Sequence, residues 1–269
     1  MLPIWDAYAE NQAQTLEEYW GEVPEEKERN ARIIFIGDSI MAGYGLDNPE
    51  EDSVVAKTSK MLKDLEPKYA KSTRIKNYSI SGETTSGMVS RLPEILATKP
   101  DIAVLAIGGN DALRGVDPDV LYNNLNIILN DLNRAGIYTM FIGMQASPSY
   151  GYTYMSKFNS VYAKLADQYS VVFVPFLLEG VAGNRELNQD DGIHPNRFGA
   201  AVIAENIAMP LRDMLEGFVR KKELVYDKHK IKEHEREKQK RKAKQEQKAR
   251  EYELRKQKLR RKYENGKKK

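Results

Sequence analysis

Five short strand-like runs alternate with helix-length segments, and this alternation most narrows the folds open to the chain. The runs are Ile33 to Ile36, Ile75 to Ile80, Ile102 to Ile107, Tyr138 to Ile142 and Val171 to Val174. Between them lie segments of helical pattern, about Ser53 to Leu65, Thr85 to Ala97, Pro118 to Arg134 and Tyr154 to Gln168. Gly136 stands just past the third, where a left-handed residue closes a helix. Asn196 is placed to cap a last helix reaching about Leu215. Strands joined through crossover helices pair in parallel, so the expected fold class is α/β with a five-stranded parallel sheet.

Ligands of such sheets collect where the strands end. Three of the ends are chemically distinctive. The first run empties into Gly37-Asp38-Ser39, the second is followed by Ser81-Gly82, and the third passes through Gly108-Gly109 to Asn110. Late in the chain, Asp191-Gly192-Ile193-His194-Pro195 sets a carboxylate and an imidazole three positions apart, in a sequence with only three histidines. A serine hydroxyl is barely ionised at neutral pH and attacks a carbonyl usefully only when a base takes its proton. His194 suits that task, and Asp191 on the same short turn suits holding the imidazole in one tautomer. Ser39 is then the candidate nucleophile. The amides of Ser39 and Gly82 and that of Asn110 supply three donors for the oxygen that becomes negative during attack. This chemistry requires no metal or cofactor. The chain order Ser, Asp, His matches one known arrangement of the triad, but the Gly-x-Ser-x-Gly elbow of α/β-hydrolases is absent, so the fold should differ from theirs.

Taken together, Gly37-Asp38-Ser39, Gly82, Gly108-Gly109-Asn110-Asp111 and Asp191-Gly192-Ile193-His194 resemble, in order, the four blocks of the SGNH (GDSL-type) hydrolases. Met41 to Leu46, Ser79 to Thr84, Ala112 to Gly115 and Gln189 to Asn196 look like the arylesterase and multifunctional thioesterase/lysophospholipase branch. The likeness covers roughly Ile33 to Leu215. It implies a flavodoxin-like three-layer α/β/α domain that hydrolyses esters or thioesters. Ser39, Asp191 and His194 would be catalytic, and Ser39, Gly82 and Asn110 would form the oxyanion hole. In that branch the segment after the Gly-Gly-Asn-Asp block meets the acyl chain, which makes Leu113 a substrate-binding candidate. Segments leaving strand ends, Ala112 to Val116, Gln145 to Tyr154 and Leu177 to Asn188, should line the groove. Tyr150, Tyr152 and Tyr154 form either an amphipathic wall or ordinary surface packing.

Three regions follow: 1–30, an N-terminal extension; 31–216, the hydrolase domain; and 217–269, a charged C-terminal extension, helical or partly disordered. In the first, Tyr8 to Tyr19 reads as a short helix anchored by Trp5 and Trp20. Met1 to Asn30 lacks a basic start followed by an apolar core, so residence is expected to be cytoplasmic if Met1 is the native start, and exported if a signal peptide was removed. No cysteine is present, which excludes disulfides and thiolate metal sites. The longest apolar stretch, Val171 to Leu178, is broken by Pro175 and too short to span a bilayer.

Charge is divided unevenly. Gly217 to Lys269 holds 23 Lys and Arg against 9 Asp and Glu, a net of +14, while Met1 to Glu216 holds 19 against 30, a net of −11. Glu237 with Arg241, Glu246 with Arg250, and Glu251 with Arg255 have the spacing that supports a solitary charged helix. His229 and His234, five apart, do not share a helical face and read as surface residues rather than metal ligands. Such a tail is a solvated extension, an intramolecular partner of the acidic body, or an arm for polyanions, meaning nucleic acid or anionic membrane. The functional expectation is therefore a serine esterase acting through an acyl-enzyme on Ser39. The alternative is a scaffold or assembly protein of the same fold, anchored by its basic tail to nucleic acid, membrane or a larger complex.

Overall fold

The computed structural model describes residues 31–69 and 73–221, together with Arg236, Gln239, Lys240, Ala243 and Gln247. The expected helix at Tyr8 to Tyr19 with Trp5 and Trp20, the Glu–Arg pairs of the tail, and His229 and His234 lie outside the described residues. The chain divides into two compact units, Met1–Glu216 and Gly217–Lys269. Among the described residues no helix is long and apolar enough to cross a membrane.

The sheet consists of β1 (Arg32–Gly37), β2 (Arg74–Asn77), β3 (Ile102–Ala106), β4 (Tyr138–Ile142) and β5 (Val172–Val174). All neighbours pair in parallel, in the order β2-β1-β3-β4-β5. β1 and β3 are buried at every position, as expected of parallel strands covered on both faces, and this is why they read as unbroken apolar runs. The helices are α1 (Ser39–Ala42), α2 (Pro49–Asp52), α3 (Val54–Leu65), α4 (Thr85–Ala97), α5 (Gly109–Leu113), α6 (Pro118–Arg134), α7 (Tyr152–Ala166) and α8 (197–221). The connection from β1 to β2 steps one way across the sheet, and the next three step the other way. Right-handed crossovers therefore place α3 on one face and α4, α6 and α7 on the opposite one. In agreement, α4 packs on α6 and α6 on α7. Three layers result.

Local chemistry sets the boundaries. Ser53 Oγ accepts from the Ala56 N–H at 3.2 Å to start α3, and Asn196 Oδ1 accepts from Phe198 and Gly199 at 2.9 and 3.1 Å to start α8; a side-chain cap of this kind contributes about 0.5–2 kcal/mol. On α6, Leu121, Leu125, Ile128, Leu129 and Leu132 are buried at helical spacing, and full burial of each such side chain stabilises by roughly 1.5–3 kcal/mol. Gly136, at φ +72°, closes that helix in the left-handed conformation.

Several boundaries depart from expectation. β2 stops at Asn77 rather than continuing to Ile80, because the Asn77 side chain takes over: its Nδ2 donates to the Met41 carbonyl at 2.8 Å and its Oδ1 accepts from the Ser79 N–H at 3.1 Å. Beyond it only one-sided bonds to β1 persist, from Tyr78 to Phe35 and from Ile80 to Gly37. α7 begins at Tyr152, two residues early, because Gly151 at φ +85° ends the preceding turn. α8 runs through residue 215 to 221.

One buried bond fixes the end of the central strand. Tyr162 on α7 is 1 % exposed, and its hydroxyl donates to the Ile107 carbonyl at 2.9 Å. A Cβ at Gly108 would come within 2.0 Å of that hydroxyl, and Gly108 has φ +119°, so glycine is required there on two grounds. Replacing Tyr162 by Phe should lower the urea unfolding free energy by about 1–3 kcal/mol, because the Ile107 carbonyl loses its buried donor. An unchanged midpoint at unchanged m-value would contradict this.

Candidate active site

Sheet order decides which loops meet. Because β1 lies between β2 and β3, the residues that follow these three strands leave the same edge side by side, at the place where the strand order reverses. Ser39 follows β1, Gly82 follows β2 and Asn110 follows β3. The Ser39 N–H, the Gly82 N–H and the Asn110 side-chain amide donate to no protein group among the described residues. That leaves three donors free for a ligand at one sheet edge.

The histidine arrives from the other end of the unit on a braced loop. Asn188 bridges to Pro195, the Gln189 N–H donates to the His194 carbonyl at 2.8 Å, and Gly192 turns at φ +69°. Gln189 Nε2 then donates both to the Pro195 carbonyl, at 3.0 Å, and across to the Tyr44 carbonyl, at 2.8 Å. This side chain ties the histidine loop to the segment after Ser39. A Cβ at Gly45 would meet the Gln189 side chain at 2.1 Å, so the approach needs glycine. The Tyr44 ring lies against the imidazole, with centroids 4.8 Å apart.

His194 Nε2 lies 2.8 Å from Ser39 Oγ, and His194 Nδ1 lies 2.6 Å from Asp191 Oδ2. Burial pushes the Asp191 carboxyl up, but the His194 backbone N–H, the His194 ring and the Ile193 N–H outweigh it and hold the group down at about 2. Asp191 is therefore ionised, and an ionised carboxylate only accepts. Nδ1–H must donate to it, which leaves Nε2 to accept from the serine hydroxyl. Such a relay can draw the proton from Ser39 as its oxygen attacks an electrophile.

Asp38, between Gly37 and Ser39, is 1 % exposed. Its Oδ1 caps α1 by accepting from the Ile40 N–H at 3.2 Å, while Oδ2 has no hydrogen-bond partner and packs on Gly109, where a Cβ would come within 2.9 Å. Burial drives this carboxyl up to about 6, against the opposing pull of the Ile40 and Gly109 amides and the charge of His194. Asp111 is buried as well, but fully bonded. It accepts from the Thr85 N–H at 2.9 Å and the Thr85 hydroxyl at 2.5 Å, joining the Asn110 block to the helix that follows Gly82.

The remaining candidates lie beside this centre. Leu113 is half exposed, and its carbonyl accepts from the Tyr150 hydroxyl at 2.9 Å; Tyr154 reaches the Val116 carbonyl at the same distance. Between these segments lies an open cleft of about 620 Å³, walled by Tyr150, Tyr152, Tyr154 and Lys157. Neither Ser39 nor His194 lines it. The sequence reading gave no individual role to Gln189, Arg114, Asp38 or Asp111, although each lies within a segment that carried the family likeness.

The raised Asp38 group has a definite pH signature. A carboxyl held above its unfolded value of 3.8 contributes stability that is fully present below that value and is lost as pH rises through about 6. The difference in unfolding free energy between Asp38→Asn and wild type should therefore shift in favour of the variant between pH 4 and pH 7. A difference that stays flat in urea titrations over that range would contradict the assignment.

A family model described as "GDSL-like Lipase/Acylhydrolase family" matches residues 35–202. Esterase TesA of Pseudomonas aeruginosa is 39 % identical over 184 residues, spanning 68 % of this chain and 89 % of the relative. The thioesterase 1/protease 1/lysophospholipase L1 of Escherichia coli K12 is 34 % identical over 184 residues, 68 % of this chain and 84 % of its own. A crystal structure of TesA superposes with a TM-score of 0.62, covering 67 % of this chain and 97 % of the other at 39 % identity. The psychrotrophic esterase EstA from Pseudoalteromonas gives 0.62 at 27 % identity, covering 69 % and 98 %. With that match and these braced strand ends, the chain belongs to the GDSL-like lipase/acylhydrolase family.

Proposed function

We propose that the protein hydrolyses carboxylic esters or thioesters through an acyl-enzyme on Ser39. The contact of His194 with Ser39 on one side and Asp191 on the other carries this reading. His194 Nε2 takes the hydroxyl proton as Ser39 Oγ bonds to the acyl carbon, and the carbonyl electrons move onto oxygen. The Ser39 and Gly82 amides and the Asn110 side chain stabilise that oxyanion. Collapse expels the alcohol or thiol, which receives the proton from His194. Water then repeats the sequence and releases the acid. Asp191, ionised throughout, fixes the tautomer and favours the imidazolium at each transfer. Leu113, half exposed and holding the Tyr150 hydroxyl through its carbonyl, is the proposed contact for the acyl chain.

The relatives' names, esterase and thioesterase/lysophospholipase, support acyl substrates of both kinds. Turnover of a p-nitrophenyl acyl ester and of an acyl thioester by the purified full chain should be lost by at least about a thousandfold in Ser39→Ala. Asp191→Asn should lose on the order of a hundred- to ten-thousandfold in kcat with the fold intact. Equal rates for wild type and Ser39→Ala would contradict the reading. The basic segment Gly217 to Lys269 is proposed as a polyanion-binding arm on the strength of its +14 charge alone. Binding to heparin or anionic vesicles should weaken steeply with salt and fall on truncation, and unchanged affinity of the truncated chain would contradict it.

A further inference from the structure

Gly82 poses a mechanical problem. Its amide is one of the three free donors, yet it sits at φ +80° in an exposed turn, and glycine has more conformational freedom to lose than any other residue. Its neighbours are held. Glu83 is bonded by Arg91, which also reaches the Tyr78 carbonyl, and Thr85 is bonded by Asp111. Among the described residues, the Gly82 carbonyl is bonded by one group only, the Arg114 guanidinium, whose Nη2 donates to it at 3.0 Å. A Cβ built on Gly82 would have that Nη2 as its only neighbour within 4 Å, at 3.9 Å.

Arg114 is well placed to couple the two donor loops. It caps the end of α5, one turn after Asn110, and its own N–H donates to the Asn110 carbonyl at 3.1 Å. The guanidinium has no carboxylate partner among the described residues. It is thus spent on a backbone carbonyl rather than on an ion pair. Buried Asp38 packs on Gly109 and buried Asp111 directly follows Asn110, so acidic groups crowd that donor, while a guanidinium beside Gly82 favours negative charge. Solvent weakens that second effect at an exposed site, so the principal action is geometric.

We infer that Arg114 is a positioning residue of the oxyanion hole: by bonding the Gly82 carbonyl to the end of the Asn110 helix, it holds the Gly82 turn at a set distance from that helix and so places the Gly82 amide relative to the Asn110 side chain. This rests on the reading of Gly82 as an oxyanion donor. The clamp stabilises the tetrahedral state and does little for ground-state binding, since the amide is aimed where charge develops.

The test compares wild type with Arg114→Met, which keeps the aliphatic stem, and Arg114→Lys, which keeps a cationic donor. Removal of a whole oxyanion donor costs about a hundred- to a thousandfold, so loosening one should cost Arg114→Met roughly tenfold in kcat, with KM within about twofold and Tm unchanged. Inhibition by a trifluoromethyl ketone, which adds to the serine as a tetrahedral oxyanion, should weaken by the same factor as kcat/KM, while inhibition by the carboxylate product stays constant. Arg114→Lys should recover part of the loss. A Met variant with wild-type kcat, a loss confined to KM, or equal rates for Met and Lys would overturn the inference. A wild type that turns over no ester would remove the hydrolase reading together with it; an active wild type with an unaffected Met variant removes only the clamp.

Discussion

The placement of β1 between β2 and β3 is the constraint on which the rest depends. Parallel pairing on both sides of β1 forces the segments after all three strands to emerge at the same edge, so a serine, a glycine amide and an asparagine become neighbours without being close in sequence. Burial of β1 and β3 on both faces makes that edge rigid, because displacing either strand would expose apolar side chains on both sides of the sheet. The hydrolase chemistry is built on loops, and two of these leave the most deeply buried strands of the sheet.

Each loop is then braced by a polar side chain. Gln189 ties the histidine loop to the Tyr44 turn, Asp111 ties the Asn110 block to Thr85, and Arg114 ties it to Gly82. Gly108 and Gly109 are small because Tyr162 and Asp38 press on them. These contacts hold the serine, histidine and donor loops together without a ligand, so on the proposed reading little ordering remains to be done in the transition state. Asp38 shows the cost of this arrangement. Its carboxyl is buried next to the serine with Oδ2 outside any hydrogen bond, and burial raises the group to about 6.

Much of this was legible in the sequence. β1 and β3 read as apolar runs because both faces are covered, and the triad read as Ser39, Asp191 and His194 because the chain has few histidines and the carboxylate shares a turn with one of them. Boundaries were harder where side chains, not periodicity, decide. Asn77 ends β2 by bonding to Met41, a contact 36 residues away, and Gly151 starts α7 early by turning the chain. The braces were invisible for the same reason. Nothing in the local pattern of Arg114 or Gln189 names a backbone carbonyl 32 or 145 residues away as its acceptor.

The central claim is that one imidazole activates one hydroxyl across 155 residues of sequence. The most direct test is covalent capture with an alkyl fluorophosphonate, followed by peptide mapping in the mass spectrometer. A single adduct is expected on the peptide containing Ser39, with a labelling rate that collapses in His194→Ala. An adduct on another residue, or Ser39 labelling at the same rate without His194, would contradict it.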